Sequence, residues 1–217
     1  MPRFISLSLL LLLITVAQAD DPPNAPDVKE PAMREEILKR TKVDQDARFA
    51  IINWMKANGS IGKEKQTDEQ KAEYAKLSAV IKQADTENTK WLKEVIEKHG
   101  WLTFSLVGKD GGQSAWLMVQ HADADPKFQR KCLDLMTKLP KTEVSPANVA
   151  YLTDRVLLAE GKKQLYGTQF TTINGKSQPR PLEDEKNVDK RRAEMGLSTL
   201  AEYAKQIEQM YGPAPKK

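Results

Sequence analysis

The segment "TDEQKAEYAKLSAVIKQADTENTKWLKEVIEKHG", residues 67–100, carries the clearest helical pattern in the chain. Thr67 and Gln70 have the spacing of a capping box, in which each side chain bonds to the other residue's backbone N–H at the start of a helix. Gly100 is a typical helix stop. The apolar residues in between recur every three or four positions, which places them on one face of a helix. The segment therefore predicts a long helix that packs against other helices.

The apolar face of this helix is interrupted by two polar residues. The series that runs from Leu77 to Val95 passes through Asp85 and Asn88. An unpaired carboxylate in an apolar core costs on the order of several kcal/mol, so a buried one must meet a partner. The interruption therefore predicts polar partners on a neighbouring element.

Two other predicted helices have polar residues at core positions. One series runs Ile37, Thr41, Asp44, Arg48, Ile51, Met55, and another runs Ala147, Ala150, Tyr151, Asp154, Leu157, Leu158. Three helices with this property predict one shared polar cluster. Two interpretations stay open: a structural network of salt bridges and hydrogen bonds, or the lining of a ligand-binding pocket.

The rest of the pattern is typical of a mainly α protein. Helices are expected over residues 32–57, 110–122, 126–139 and 146–160, and a last one is opened by Thr199 with Glu202. The segment "LTFSLV", residues 102–107, is a possible short strand. Asn174-Gly175 is a strong hairpin signal, and predicts a small β-hairpin near residues 168–181. We expect a helical bundle-like single domain over residues 32–212 and a flexible tail over residues 213–217.

The N-terminus has the pattern of a secretory signal peptide. Arg3 precedes the apolar run "FISLSLLLLLITV", and "AQA" at 17–19 is a small-residue cleavage site. Cleavage after Ala19 leaves a Pro-rich, flexible tether over residues 20–31. We therefore expect an exported protein, periplasmic or secreted, with no transmembrane segment in the mature chain; an uncleaved anchor is the alternative.

Composition excludes several classes of function. The formal net charge of +4 is a weak excess spread over many Lys/Glu pairs, which does not favour a nucleic-acid partner. The single Cys132 has no internal disulfide partner and lies at helical spacing among apolar residues, as expected of a buried core thiol. The chain has no HExxH, CxxC, GxSxG or Rossmann glycine motif, and no metal site is predicted. The "KRR" at 190–192 is typical of a solvated helix face.

Candidate site residues converge if the helices 126–139 and 146–160 pack antiparallel, as their short connection predicts. That packing brings Gln129 towards Asp154 and Arg155, and His121 is only a tight turn away. The loop that follows leaves at the same end of the helix pair. The residues expected at this end of the bundle are His121, Gln129, Asp154, Arg155, Gln164, Tyr166 and Gln169.

Several motifs resemble a bacterial family of unknown function, domain of unknown function 6624. They are "DQDAR" (44–48), "DTEN" and "HGW" (85–101), "AWLMVQHADADPKFQ" (115–129), "AYLTDR" (150–155), "QLYGTQF" (164–170) and a "VDKRRAEMGL…LAEYAK" ending. The resemblance covers about residues 33–205 and departs at Leu102, where the family often has proline. It implies no reaction, substrate or cofactor. The residues it singles out are Asp44, Gln45, Arg48, Asp85, Asn88, Trp101, Gln120, His121, Asp125, Gln129, Asp154, Arg155, Gln164, Tyr166, Gly167, Thr168 and Gln169.

These observations support two functional hypotheses. In the first, the polar cluster is part of a binding or structural domain of the cell envelope, and its partner is a small polar ligand or an envelope component. In the second, the protein is a small enzyme in which His121 is the general acid or base, held by Asp125 or Asp154. The catalytic candidates are then His121 and Asp154. The ligand-binding candidates are Asp44, Arg48, Asp85, Asn88, Gln129, Arg155, Gln164, Tyr166 and Gln169.

Overall fold

The computed structural model describes residues 28–58, 66–173 and 176–211. Within these ranges the protein has seven α-helices and one two-stranded antiparallel sheet, which confirms the predicted mainly α fold. The predicted signal peptide, most of the predicted tether, the predicted C-terminal tail and the Asn174-Gly175 hairpin signal lie outside the described residues. None of the helices in the described ranges is long and apolar enough to cross a membrane.

The chain divides into two compact units, with the boundary between Val144 and Ser145. The single domain expected over residues 32–212 stays a prediction. The first unit holds α1 (Pro31–Asn58), α2 (Asp68–His99), α3 (Phe104–Gln120) and α4 (Pro126–Met136). In this unit α1 packs against both α2 and α3, and α3 contacts α2 and α4.

Local capping explains where the helices of the first unit begin. The predicted capping box of α2 is present, with hydrogen bonds between Thr67 and Gln70 in both directions. Helix α4 starts at Pro126, and the Asp125 side chain accepts a hydrogen bond from the N–H of Phe128. Proline at this position costs the helix no hydrogen bond, since an N–H there would have no partner inside the helix.

The expected strand at 102–107 is wrong, because α3 begins at Phe104. The helix is interrupted at Gly108, whose φ of 77° lies in the left-handed region that favours glycine. A Cβ atom there would lie 2.9 Å from Oδ1 of Asp110, too close for any other residue to fit without a shift. Asp110 in turn accepts a 2.8 Å hydrogen bond from Nε of Arg34 on α1, which fixes the second part of α3 against α1.

The core of the first unit contains Ile37, Ile51, Leu92 and Trp116, all fully buried. Complete burial of one large apolar side chain contributes about 1.5–3 kcal/mol, so these contacts hold α1, α2 and α3 together. On α1 the predicted core position Met55 is exposed, and Trp54 is buried instead. The buried line therefore shifts by one residue at the end of α1.

Cys132 lies in α4 and is fully buried, as the sequence predicts. Burial raises the pKa of its thiol to about 12. A thiol that stays protonated is a poor nucleophile, so Cys132 is a packing residue.

The second unit holds α5 (Pro146–Ala159), β1 (Phe170–Ile173), β2 (Lys176–Pro179), a 3-10 helix (Glu185–Asn187), α6 (Val188–Glu194) and α7 (Leu200–Tyr211). Strand β1 pairs with β2 in antiparallel register, with Phe170 opposite Pro179, as the hairpin prediction requires. Phe170, Tyr203 and Ile207 form a buried cluster, and Tyr151 of α5 packs against it. Helix α7 also contacts β2 and α6.

The prediction of a solvated "KRR" face at 190–192 is wrong for Arg192, which is 1% exposed. Its Nε donates to the carbonyl of Ser198 at 2.5 Å, and its Nη1 donates to the carbonyl of Tyr166 at 2.6 Å. The guanidinium also lies 5.0 Å from the centre of the Tyr203 ring. Arg192 therefore joins α6 to the loop after α5.

Candidate functional site

Polar residues of α1, α2 and the C-terminal end of α3 meet inside the first unit. They are Asp44, Arg48, Asp85 and His121, which together form what we call the Asp44 cluster. The side chains of Asp44, Arg48 and His121 are at most 8% exposed, whereas that of Asp85 is 27% exposed. Three of the four side chains are therefore buried, and the cluster reaches solvent at Asp85.

Arg48 connects the two carboxylates of the cluster. Its Nε donates to Oδ1 of Asp44 at 3.1 Å, and its Nη2 donates to Oδ1 of Asp85. Asp44 and Arg48 are four residues apart on α1, so the helix itself sets their spacing. The bond to Asp85 crosses from α1 to α2. The polar interruptions seen in these two helices are thus partners of one another.

His121 lies at the C-terminal cap of α3, with Nδ1 at 3.0 and 3.1 Å from the two carboxylate oxygens of Asp44. The carboxylate expected beside His121 was that of Asp125 or Asp154, and the structure places Asp44 there. Asp125 caps α4 and forms an ion pair with Lys93. Oδ2 of Asp44 also accepts a 2.7 Å hydrogen bond from the amide of Gln45.

The two carboxylates of the cluster differ strongly in acidity. Burial acts to raise the pKa of Asp44, but the hydrogen bond and charge of His121 and the charge of Arg48 outweigh it and lower the pKa to about 2. Burial raises the pKa of Asp85 to about 6, with the charge of Arg48 opposing the rise and the charges of Asp44 and Asp123 adding to it. Asp44 is therefore ionised at every ordinary pH, and Asp85 changes protonation close to neutrality.

Gln129 supports the end of α3 that carries His121. Its side chain is buried, and Nε2 lies 3.1 Å from the carbonyl oxygen of Val119 and 3.3 Å from that of Gln120. The same amide lies 3.2 Å from Oδ1 of Asp123. Gln129 therefore positions the residues around His121. Asp123, which the sequence did not single out, contributes charge to the cluster.

Asn88 lies one turn after Asp85 on α2 and is 5% exposed. Its side-chain amide has no hydrogen-bond partner among the described residues. Asn88 is thus a polar core position whose hydrogen-bonding capacity the described part of the chain leaves unused.

One oxygen or nitrogen atom from each of Asp44, Asp85 and His121 lies within 4.8 Å of the other two. Carboxylate and imidazole groups at this separation have the spacing of metal ligands. However, the Arg48 guanidinium already binds both carboxylates, and a metal ion would have to displace this positive charge. The donor set fits a cation poorly while Arg48 stays in place.

The polar residues of the second unit form a separate network around Asp154, which is fully buried on α5. Its carboxylate accepts hydrogen bonds from the backbone N–H groups of Leu165, Tyr166 and Thr168 and from the Thr168 hydroxyl, at distances of 2.7–3.2 Å. Burial raises the pKa of Asp154, and these hydrogen bonds oppose the rise. Asp154 therefore fixes the shape of the loop over residues 164–169.

Gln164 completes the fixation of this loop. Its side-chain amide donates to the carbonyls of Gln169 and Arg180, and its oxygen accepts from the N–H of Gln169 at 2.9 Å. Gln169 is also buried, whereas Tyr166 and Arg155 are partly exposed. In this network Asp154 and Gln164 hold the backbone.

The seven residues expected to converge fall into different units. His121 and Gln129 belong to the first, whereas Asp154, Arg155, Gln164, Tyr166 and Gln169 belong to the second. The antiparallel packing expected of the helices 126–139 and 146–160 would span the same boundary, and it stays a prediction. Convergence of all seven on one end of the bundle stays a prediction.

Sequence reasoning missed Asp123 and Arg192. For Arg192 a signal existed, because Val188 lies four residues earlier on the same face of α6 and is buried as well. The sequence gives no such signal for Asp123, because its role depends on a hydrogen bond with Gln129 of the following helix.

The family of unknown function DUF6624 matches residues 31–216. The chain belongs to this family. The match confirms the resemblance carried by the motifs and covers both units. No curated protein and no solved structure gives a significant match.

Proposed function

We propose that the Asp44 cluster is an acid–base site for a small polar ligand. His121 exchanges a proton with the ligand, Asp44 orients the imidazole ring, and Asp85 is a second group that takes up or releases a proton. The observation that carries the proposal is the Nδ1 atom of His121 at 3.0 Å from a buried carboxylate. Imidazole ordinarily titrates near neutral pH, which suits it to proton transfer.

The acidity of the two carboxylates supports these roles. Because the pKa of Asp44 is held at about 2, its carboxylate stays ionised and favours the tautomer with a proton on Nδ1. The lone pair is then on Nε2, the atom that accepts a proton from a ligand. The pKa of Asp85 is about 6, so this neighbour is available as an acid or a base under ordinary conditions. Titratable pairs with separated pKa values are typical of acid–base sites.

A thermal-shift screen of small metabolites and cell-wall fragments tests this proposal. We expect at least one compound that raises the melting temperature of the wild type and has no effect on His121→Ala. His99→Ala is the matched control, because His99 is the only other histidine and lies at the end of α2. If His121→Ala keeps its stability and every ligand-induced shift of the wild type, the acid–base role is wrong.

A structural role is the second candidate, and the bonds of the cluster favour it. Arg48 ties α1 to α2, and His121 ties α3 to α1, so the network sets how three helices pack. This candidate predicts that Asp85→Ala lowers the melting temperature by several degrees and removes no ligand selectively. The acid–base proposal instead predicts a selective loss of the ligand.

We also infer that the protein is exported, periplasmic or secreted, with residues 1–19 as the signal peptide. The apolar run and the "AQA" site support this inference. Intact-mass measurement after expression in a bacterial host tests it. We expect a mature chain that starts at Asp20, and we expect Ala19→Leu to block processing, because signal cleavage requires small residues. Unprocessed wild-type protein in the cytoplasm would contradict export.

A further inference from the structure

Arg48 has hydrogen-bonding capacity that its protein partners leave unused. A guanidinium has five N–H donors in a planar fork. Nε of Arg48 donates to Asp44, and Nη2 donates to Asp85. Among the described residues Nη1 has no acceptor, although the side chain is only 8% exposed. A buried guanidinium that presents a free edge is suited to bind an anion with two oxygen atoms.

Asn88 is a second polar side chain close to Asp85 along α2. It lies one turn from Asp85 on the same face of α2, is 5% exposed, and has no hydrogen-bond partner within the part of the chain that the structure describes. Two neighbouring helices thus each contribute one buried polar side chain with unused donors. These donors are available to a group that enters the cluster.

We propose that Arg48 binds a small oxyanion of the ligand, a carboxylate or a phosphate, through Nη1 and the second hydrogen of Nη2. The Asn88 amide contributes a further hydrogen bond, and the binding is strong only when Asp85 carries a proton. This inference rests on the proposed acid–base site and names the class of ligand that the site accepts.

The charges around Asp85 explain why a proton is needed. Arg48 and Asp44 face it from α1, and His121 and Asp123 face it from the end of α3 and the turn that follows. When Asp85 is ionised, its carboxylate and that of Asp44 both bind the guanidinium, and an incoming anion is repelled. Proton uptake by Asp85 removes one negative charge and weakens its hold on Arg48. Since burial raises the pKa of Asp85 to about 6, this change falls within the ordinary pH range.

Titration of the whole protein with sodium formate and sodium sulfate tests the proposal. Both probes keep a constant charge from about pH 5 to about pH 7.5, and chloride at matched ionic strength controls for screening. Binding is followed by the side-chain N–H resonances of arginine. Formate stands for a carboxylate and sulfate for a phosphate, so the tighter of the two identifies the oxyanion.

We expect the wild type to bind the better probe on the order of tenfold more tightly at pH 5 than at pH 7.5. Asp85→Asn should bind more tightly than the wild type at pH 7.5, and it should keep only the pH dependence that His121 contributes. Asp46→Asn is the matched control, because it removes one exposed carboxylate of α1 and should behave like the wild type. Arg48→Lys keeps the charge but lacks the fork, so it should bind at least about fivefold more weakly than the wild type.

Three results would each overturn the proposal. The first is that Asp85→Asn binds no more tightly than Asp46→Asn, and the second is that Arg48→Lys binds as the wild type does. The third is a rise in melting temperature with Mg²⁺ or Zn²⁺ when neither formate nor sulfate binds, because the cluster is then a cation site.

Failure of this inference is distinguishable from failure of the proposed function. If Asp85→Asn gains no affinity while His121→Ala loses its ligand shift, the acid–base site stands and the oxyanion assignment is wrong. If the anion binds as expected while His121→Ala keeps every shift, Arg48 is a binding residue and the acid–base role is wrong.

Discussion

The two units each bury a carboxylate, and they satisfy it in different ways. Asp154 is bound by neutral backbone N–H groups and one hydroxyl of a single loop. Asp44 is bound by Arg48 of its own helix and by His121 at the end of α3. A second carboxylate, that of Asp85, is partly exposed and binds the same arginine. The partners of Asp154 carry no charge, whereas the second network contains a carboxyl group, that of Asp85, whose pKa of about 6 lies close to neutrality. A buried carboxylate therefore indicates chemistry only when its partners titrate.

The largest effect is expected when the Asp154 network is broken. Asp154→Ala leaves three backbone N–H groups and one hydroxyl, those of Thr168 buried, without this acceptor, so the free energy of unfolding should fall by roughly 3–5 kcal/mol. Urea denaturation measures this loss. Glu208→Ala, at an exposed position of α7, is the control and should change stability little. A loss below about 1 kcal/mol for Asp154→Ala would show that the loop is not held by this carboxylate.

The Asp44 cluster should make the stability depend on pH. Because the pKa of Asp85 is raised to about 6, the folded protein retains a proton that the unfolded chain releases above about pH 4. The free energy of unfolding should therefore fall by about 2–3 kcal/mol between about pH 4 and about pH 7. Below about pH 4 the free energy of unfolding should instead fall as the pH falls. The reason is that Asp44, with its pKa lowered to about 2, loses about 2 kcal/mol of stabilisation on protonation.

Urea denaturation at a series of pH values checks both arms of this profile. Asp85→Asn should flatten the profile above about pH 4 and leave the acid arm unchanged. A wild-type profile that rises between about pH 4 and about pH 7 would contradict the raised pKa of Asp85.

A smaller effect is expected from Arg192→Lys in the second unit. A lysine ammonium is a single point donor and cannot reach the carbonyls of both Tyr166 and Ser198 in the way the guanidinium does. Stability should fall by about 1–2 kcal/mol, with faster amide exchange at residues 165–168. The exposed neighbour Lys190→Ala is the control. Equal exchange rates in the two variants would show that Arg192 does not hold the loop.

The smallest effect is expected from Asp123→Asn in the first unit. Its charge adds to the repulsion that raises the pKa of Asp85, so its removal should lower that pKa by a few tenths of a unit. Carbon NMR of the Asp85 carboxyl group measures the shift. Asp46→Asn, which changes the charge at an exposed position of α1, should leave the Asp85 pKa unchanged. An upward shift in Asp123→Asn would contradict the assigned cause.

The sequence predicted the features that depend on neighbouring residues. Thr67 with Gln70 and Asp125 with Pro126 mark helix starts through bonds that close within one turn. Asp85 and Asn88 were identified as polar core positions by helical spacing alone. The partner of His121 was not predictable in this way, because Asp44 is 77 residues away and the contact depends on how α1 packs against α3. The interruption of α3 was missed as well, since a glycine in a sequence does not reveal the sign of its φ.

The buried thiol of Cys132 gives the first unit a reporter of its own motion. With its pKa at about 12 and its side chain inaccessible, the thiol reacts with a disulfide reagent only while α4 is detached from the core. The rate of labelling is therefore the rate at which this unit opens, once the reagent is concentrated enough for labelling of the open form to outpace reclosing. Because the chain has one cysteine, each molecule is counted once. The time for which the unit stays closed can be read from a single colorimetric trace.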